Sequence, residues 1–167
     1  MRSLTDEREE SLRDKGEFWK SKKIEMKRSM KLQDNERTLL EIIHNLDSKY
    51  QKLVVVVEGH RDEAILRSLG VKAPIIKTQS RLPRYRIVEK IVSKAGKDGE
   101  VLILTDYDQE GKELCNYLER ELELSGIKTL RGVRIRIRKY MTTWRCIEEF
   151  VNLLKRSDSP EASHYHL

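Results

Sequence analysis

The chain has 167 residues, which suits one globular domain with an extension and is short for two full domains of ordinary size. Its formal net charge is +6 although 37% of its residues are charged, so the basic surplus is local and its placement bears on the partner more than its total. Two cysteines, Cys115 and Cys146, lie far apart without metal-ligand or redox spacing, which points to reduced thiols in a cytoplasmic protein. The N-terminus lacks the apolar stretch of a signal peptide and no segment could span a bilayer, so a soluble chain with no membrane partner is expected.

Residues 1–32 are charge-dense, and Leu12, Phe18, Trp19, Ile24, Met26 and Met30 are too scattered to build a core; a partly exposed helix is predicted. Within it "KSKKIEMKRSMK" sets Lys20, Lys22, Lys23, Lys27, Arg28 and Lys31 against Glu25 alone. Both a solvated helical face and a nucleic-acid-binding arm fit that pattern. From Asp34, Leu39, Ile42, Ile43 and Leu46 recur at helical spacing, predicting an amphipathic helix that ends near Tyr50 and closes an N-terminal helical extension over 1–50.

The period then changes. "LVVVV" (53–57) and "VLILT" (101–105) are continuous apolar runs, the pattern of strands buried on both faces. A helix follows each: Ala64, Ile65, Leu66 and Leu69 stop at Gly70, and Leu114, Cys115, Leu118 and Leu122 stop at Gly126. Between these units "APIIKT" reads as a short strand and "YRIVEKIVSKAG" as a helix closed by Gly96. "GVRIRIR" (132–138) alternates strictly and predicts a fourth strand. "TTWRCIEEFVNLLKR" predicts a closing amphipathic helix over 141–156, and 157–167 a polar mobile tail. The order βαβαβαβ over 51–140 predicts an α/β fold with a four-stranded, mostly parallel, Rossmann-like sheet flanked by helices. In such sheets strand order reverses between the first and third strands, and ligands bind at the carboxyl ends there.

Glu58 follows the first predicted strand, and Asp106 and Asp108 follow the third, so the three acids leave the same sheet edge on either side of the expected switch point. Neighbouring strands lie ~4.8 Å apart and residues two apart point the same way, so these carboxylates can converge. Such a cluster repels itself unless a proton, a lysine or a divalent cation offsets it. A hard cation with oxygen ligands suits the set: Mg²⁺, or Mn²⁺ in its place, accepts one or two carboxylates, keeps waters and bridges to phosphate. Gly59 and Gly111 remove side chains where a backbone or phosphate must come close, although each also fits a turn. Asp62 suits a further ligand or a dipole-favoured acid in the first turn of its helix, and Asp108 suits a ligand or an N-cap.

"VVVVEGHRDEAIL" followed by "LILTDYDQEGKEL" resembles the Toprim domain shared by bacterial-type primases, type IA and II topoisomerases, OLD-family nucleases and the 5S rRNA maturation ribonuclease. A strand ending in Glu-Gly and another ending in Asp-x-Asp stand in the family's order, with a βα unit between, over about residues 52–140. The resemblance implies that Glu58 is the general acid/base for making or breaking a phosphodiester and that Asp106 and Asp108, with Glu58, hold Mg²⁺. It also implies a stand-alone, small primase-like protein, because the chain has no length for a topoisomerase tyrosine domain or a primase zinc module. Tyr107, between the aspartates, is expected at the pocket rim as a stacking residue rather than a nucleophile.

Two basic segments would hold the substrate. "RLPRYR" offers Arg81, Arg84 and Arg86, and "KTLRGVRIRIRK" offers Arg131, Arg134, Arg136, Arg138 and Lys139 without one acid. On a strand, Arg134, Arg136 and Arg138 would form a row in ~7 Å steps, comparable with phosphates along a single strand; an edge strand protected by charge fits equally. The expected function is a Mg²⁺-dependent nucleic-acid phosphodiester enzyme, RNA favoured over DNA, foremost an RNA-processing endonuclease. The alternative is a non-catalytic RNA-binding subunit of a larger processing complex. Primer synthesis ranks third.

Overall fold

The computed structural model describes residues 4–157. Residues 158–167, expected as a mobile tail, lie outside the described residues, as do the side chains of Leu12, Met26, Lys27, Arg28, Met30 and Lys31. The chain forms two compact units that divide after Arg37. The described part of the first unit is entirely helical: α1 runs from Leu4 to His44 and continues past the division, so the expected break before Asp34 does not occur. The acids and bases around Asp34 include an Arg37–Asp34 ion pair of 3.6 Å one turn apart, an arrangement that continues a helix as readily as it starts one.

The second unit carries the sheet. A short α2 (Leu46–Lys49) precedes β1 (Leu53–Val57), α3 (His60–Ser68), β2 (Ile75–Lys77), α4 (Arg84–Ala95), β3 (Glu100–Ile103), α5 (Gln109–Leu124), β4 (Lys128–Thr129) and α6 (Arg131–Met141). A 3₁₀ turn (Ile147–Phe150) and α7 (Val151–Ser157) follow. The strands lie in the order β2-β1-β3-β4, all parallel, with Leu53 beside Glu100 and Val56 beside Ile103. The predicted α/β class and the reversal of strand order between β1 and β3 are both present.

Every residue of β1 is buried, because the pleat delivers alternate side chains to two cores. Leu53, Val55, Val57, Leu102 and Leu104 pack with Leu39, Ile43, Leu66, Ile137 and Phe150 on one face. Val54, Val56, Val101 and Ile103 pack with Ile87, Ile91, Leu118 and Leu122 on the other. At about 1.5–3 kcal/mol for each fully buried aliphatic side chain, this two-sided burial anchors both strands whose ends carry the acids. Gly70, Gly96 and Gly126 end their helices with φ of 95°, 66° and 76°, the left-handed conformation that favours glycine.

The predicted fourth strand is overturned: β4 is the two residues Lys128–Thr129, and "GVRIRIR" lies in α6. Val133, Ile137 and Met141 fit an alternating and a four-residue repeat equally, and all three are buried; Ile135, which only the alternating repeat would bury, is 61% exposed. The arginines therefore radiate around a helix instead of forming a row. The predicted closing helix is also shorter, since residues 142–146 are irregular before the 3₁₀ turn. Among the described residues no helix is long and apolar enough to cross a membrane.

Candidate active site

Glu58 is the first residue beyond β1, with its backbone fixed on one side by the Gln79 N–H, which donates to its carbonyl at 2.8 Å. On the other side its side chain crosses the switch point: the Asp106 N–H donates to Glu58 Oε1 at 3.0 Å. The two strand ends are thereby tied together, and the second Glu58 oxygen receives no protein hydrogen bond among the described residues. Asp62 Oδ2 accepts from the Gly59 N–H at 3.0 Å, and Asp108 Oδ1 caps α5 by accepting from the Gly111 N–H at 2.8 Å. Both acids thus fill the local roles that compete with ligand duty, and the Glu58 N–H bears on Asp62 as well.

The two glycines differ. A Cβ on Gly111 would overlap the Asp106 backbone carbonyl, so only glycine lets α5 start this close to the Asp-x-Asp turn. The same packing is held by Thr105 Oγ1, buried, donating to the Gly111 carbonyl at 2.8 Å. A Cβ on Gly59 would come 2.8 Å from Gln79 Oε1, the end of a flexible side chain, and is a looser constraint.

Burial, then the charges of Glu58, Asp62, Asp108 and Glu148, push the Asp106 carboxyl up to about 7. Burial likewise raises Glu58, opposed by the Asp106 N–H and reinforced by Asp108, Asp62 and Glu110. Burial also raises Asp62, with Glu148 adding to it. No lysine or arginine among the described residues pairs with any of these carboxylates, and the Asp106 carboxylate accepts no protein hydrogen bond. The protein leaves concentrated negative charge uncompensated at the mouth of the sheet. That donor chemistry fits a hard divalent cation held by one or two carboxylates with water completing its shell. It does not amount to a closed cage: no three His, Cys, Asp or Glu side chains among the described residues are grouped to hold a metal ion. Asp106 and Glu58 are joined; Asp62, Asp108 and Glu148 act on them through charge.

Two residues outside the sequence-based site complete it. Glu148, in the 3₁₀ turn that packs near α3, bears on both Asp62 and Asp106, and the turn is latched to the site by the Tyr107 N–H donating to the Arg145 carbonyl at 2.8 Å. No local pattern marks Glu148; only the fold brings it here. Arg134, expected on nucleic acid, is instead 7% exposed and turned inward. Its guanidinium donates to the carbonyls of Ile103 (3.1 Å), Thr105 (2.8 Å) and Asp106 (3.2 Å), bracing the turn that presents the acids.

Tyr107 is also corrected. It is buried, its hydroxyl donates to the Arg134 carbonyl at 3.2 Å, and its ring lies 4.2 Å from the Arg134 guanidinium and 5.5 Å from that of Arg138. Burial holds its phenol near 12, so it is neutral and structural rather than a rim residue. Arg138 donates to the carbonyls of Thr142 and Trp144 beyond the end of α6, which occupies it internally. Arg131 pairs with Glu119 at 3.7 Å and Arg86 with Glu89 at 3.0 Å. Arg81, Arg84, Arg136 and Lys139 are exposed, with Arg84 over the Tyr117 ring at 5.6 Å and Lys139 over Tyr140 at 5.5 Å.

With this geometry in hand, relatives locate the chain. It is 38% identical over 115 residues to the UPF0292 protein of Thermococcus gammatolerans, a match covering 60% of the chain and 81% of that protein. The chain belongs to the UPF0292 family. A second UPF0292 protein, from Methanocaldococcus jannaschii, is 35% identical over 96 residues, covering 58% of the chain and 73% of the relative. That of Thermococcus onnurineus is 51% identical over 69 residues; there the chain spans about half the relative, 48%, and the match 41% of the chain. No family model matches the chain. A solved structure from Aquifex aeolicus superposes with a TM-score of 0.52 at 23% identity, over 65% of this chain and 94% of that one, and shares its fold.

Proposed function

We propose that this UPF0292 member is a Mg²⁺-dependent enzyme acting on nucleic-acid phosphodiesters, an RNA-processing endonuclease of the Toprim type. The observation that carries the reading is Asp106: its carboxyl is pushed up to about 7 by burial and by four surrounding carboxylates, its N–H is tied to Glu58 across the switch point, and no cationic side chain among the described residues offsets it. A group so perturbed at a sheet's carboxyl edge is a functional signature more than a structural one. The Toprim-like motifs supply the reaction class.

Asp106, with Asp108 or Glu58, would hold the cation. When bound there, Mg²⁺ supplies charge for a phosphate oxygen and acidifies its own water. The chain's part is proton handling and positioning. Glu58 Oε1 is pinned by the Asp106 N–H, which leaves the other oxygen, on a carboxyl that burial has made more basic, to take a proton from an attacking hydroxyl or water and return it. The Gln79 N–H to Glu58 carbonyl bond links the acid to the segment carrying Arg81, Arg84 and Arg86, where substrate phosphates would rest.

The second reading is a non-catalytic RNA-binding subunit of a processing complex, favoured by the lack of a grouped three-carboxylate cation site among the described residues. One experiment separates the two. Labelled RNA and DNA panels, folded and unpaired, are incubated with the chain and with Glu58→Gln, in Mg²⁺, Mn²⁺ or EDTA, and bound and cleaved species are resolved. An endonuclease gives cation-dependent products that Glu58→Gln abolishes while binding persists. Salt-sensitive binding without products selects the second reading.

A further inference from the structure

None of the candidate site residues lies in the first unit, which displays Trp19, the most exposed aromatic side chain described, beside Phe18. From Arg13 to Ile24 every side chain is exposed, with Phe18 at 55%, Trp19 at 68% and Ile24 at 55%. Large aromatic surface left in water on a charged helix marks a place that meets something. On a helix turning ~100° per residue, Lys15, Phe18, Trp19, Lys22 and Lys23 share one arc of ~140°, and Asp14 and Glu17 fall outside it. Within that arc Lys22 Nζ lies 5.2 Å from the Phe18 ring centre, and the Phe18 and Trp19 rings meet edge to face at 5.9 Å and 76°.

We propose that this aromatic and cationic face is a docking surface for an unpaired stretch of nucleic acid, with the lysines on phosphates and the open Trp19 face stacking on a base. Charge selects a polyanion: Arg13, Lys15, Lys20, Lys22 and Lys23 stand against Asp14 and Glu17 in this segment. Between Arg13 and Ile24 the apolar groups do not form the continuous stripe that a bilayer or a second helix requires, because Lys15, Lys22 and Lys23 stand among the two rings and Ile24 lies ~140° around the helix from Trp19. They form instead a point anchor among cations, the composition of a single-strand platform, where stacking is sequence-tolerant and phosphate contacts are salt-dependent. The surface shares with the proposed function only the class of ligand; it rests on none of the carboxylates and needs no metal.

The test reads Trp19 directly. Of the two tryptophans, Trp144 packs against Phe150 at 6.1 Å between ring centres, so the emission lost in Trp19→Phe isolates the exposed one. The full chain in EDTA is titrated with unlabelled single-stranded RNA, single-stranded DNA, duplex of equal length, and phosphatidylglycerol vesicles, at several salt concentrations. Single strands are expected to quench Trp19. Trp19→Ala, an exposed substitution followed by the anisotropy of an end-labelled single strand, should weaken binding about tenfold. Lys22→Ala/Lys23→Ala should flatten the dependence of log affinity on log salt by about 1–2. Binding that ignores all three substitutions, quenching by vesicles alone, or concentration-dependent quenching of the free chain would each overturn the assignment. Cation-dependent cleavage by Trp19→Ala reports separately on the carboxylates, so failure of one reading is distinguishable from failure of the other.

Discussion

Replacing Asp106 by asparagine should stabilise the protein when no divalent cation is bound. The carboxyl moves from an ordinary 3.8 to about 7 on folding, so between those values the folded state holds more protons than the unfolded state and stability falls as pH rises. The ceiling is about three units at 1.36 kcal/mol each, or ~4 kcal/mol, fully developed above pH 7. Asp106 is only partly buried, so solvent screening reduces this to ~1–2 kcal/mol. Asparagine keeps the shape without the charge and should recover it: ~2–8 °C in Tm at pH 8 in EDTA, shrinking toward zero by pH 4. Thermal unfolding of both proteins from pH 4 to 8 measures the difference directly. Mg²⁺ should raise the wild-type Tm and leave the variant nearly unmoved, closing or reversing the gap. An equal loss of stability in Asp106→Asn at every pH would refute the argument, because it would mean that folding leaves the carboxyl's affinity for protons unchanged.

Further expectations follow from individual contacts. Arg134→Ala leaves three carbonyls without their donor and should cost ~2–4 kcal/mol in urea unfolding; Arg134→Lys, with one ammonium, should recover only part of it. Gly111→Ala places a methyl on the Asp106 carbonyl and should destabilise by ~1–3 kcal/mol, measured the same way, while Gly59→Ala costs less. Glu148→Gln removes a charge that bears on Asp106 and should move that carboxyl's titration to lower pH, read by carboxyl-carbon NMR. Ile135→Ala should change stability by less than ~0.5 kcal/mol and Ile137→Ala by ~2–5 kcal/mol, a contrast that a strand with both residues on one face would not produce.

The parts of the fold that were legible in the sequence are those where one local signal meets no rival. The runs 53–57 and 101–104 are apolar without interruption because each strand faces a core on both sides, and such a run bounded by glycine has few other uses. Glu58, Asp106 and Asp108 followed from their place at those strand ends. The segment 132–138 misled because Val133 and Ile137 satisfy two periods at once, and the decisive residue, Ile135 in solvent, is told apart from them only by tertiary packing. Arg134 misled for a related reason: an arginine in a basic run reads as surface, and only carbonyls 28 to 31 residues earlier in the chain turn it inward. Glu148 and Gln79 reach the site through loops whose course no periodicity describes.

The central proposal is a divalent-cation site that Asp106 forms with Asp108 or Glu58 at the carboxyl edge of the sheet. Mn²⁺ binding followed by electron paramagnetic resonance, on the wild type and on Asp106→Asn at pH 8, tests this most directly. One site per chain that Asp106→Asn abolishes and Mg²⁺ displaces is the predicted result; no bound Mn²⁺, or binding that Asp106→Asn leaves intact, would contradict it.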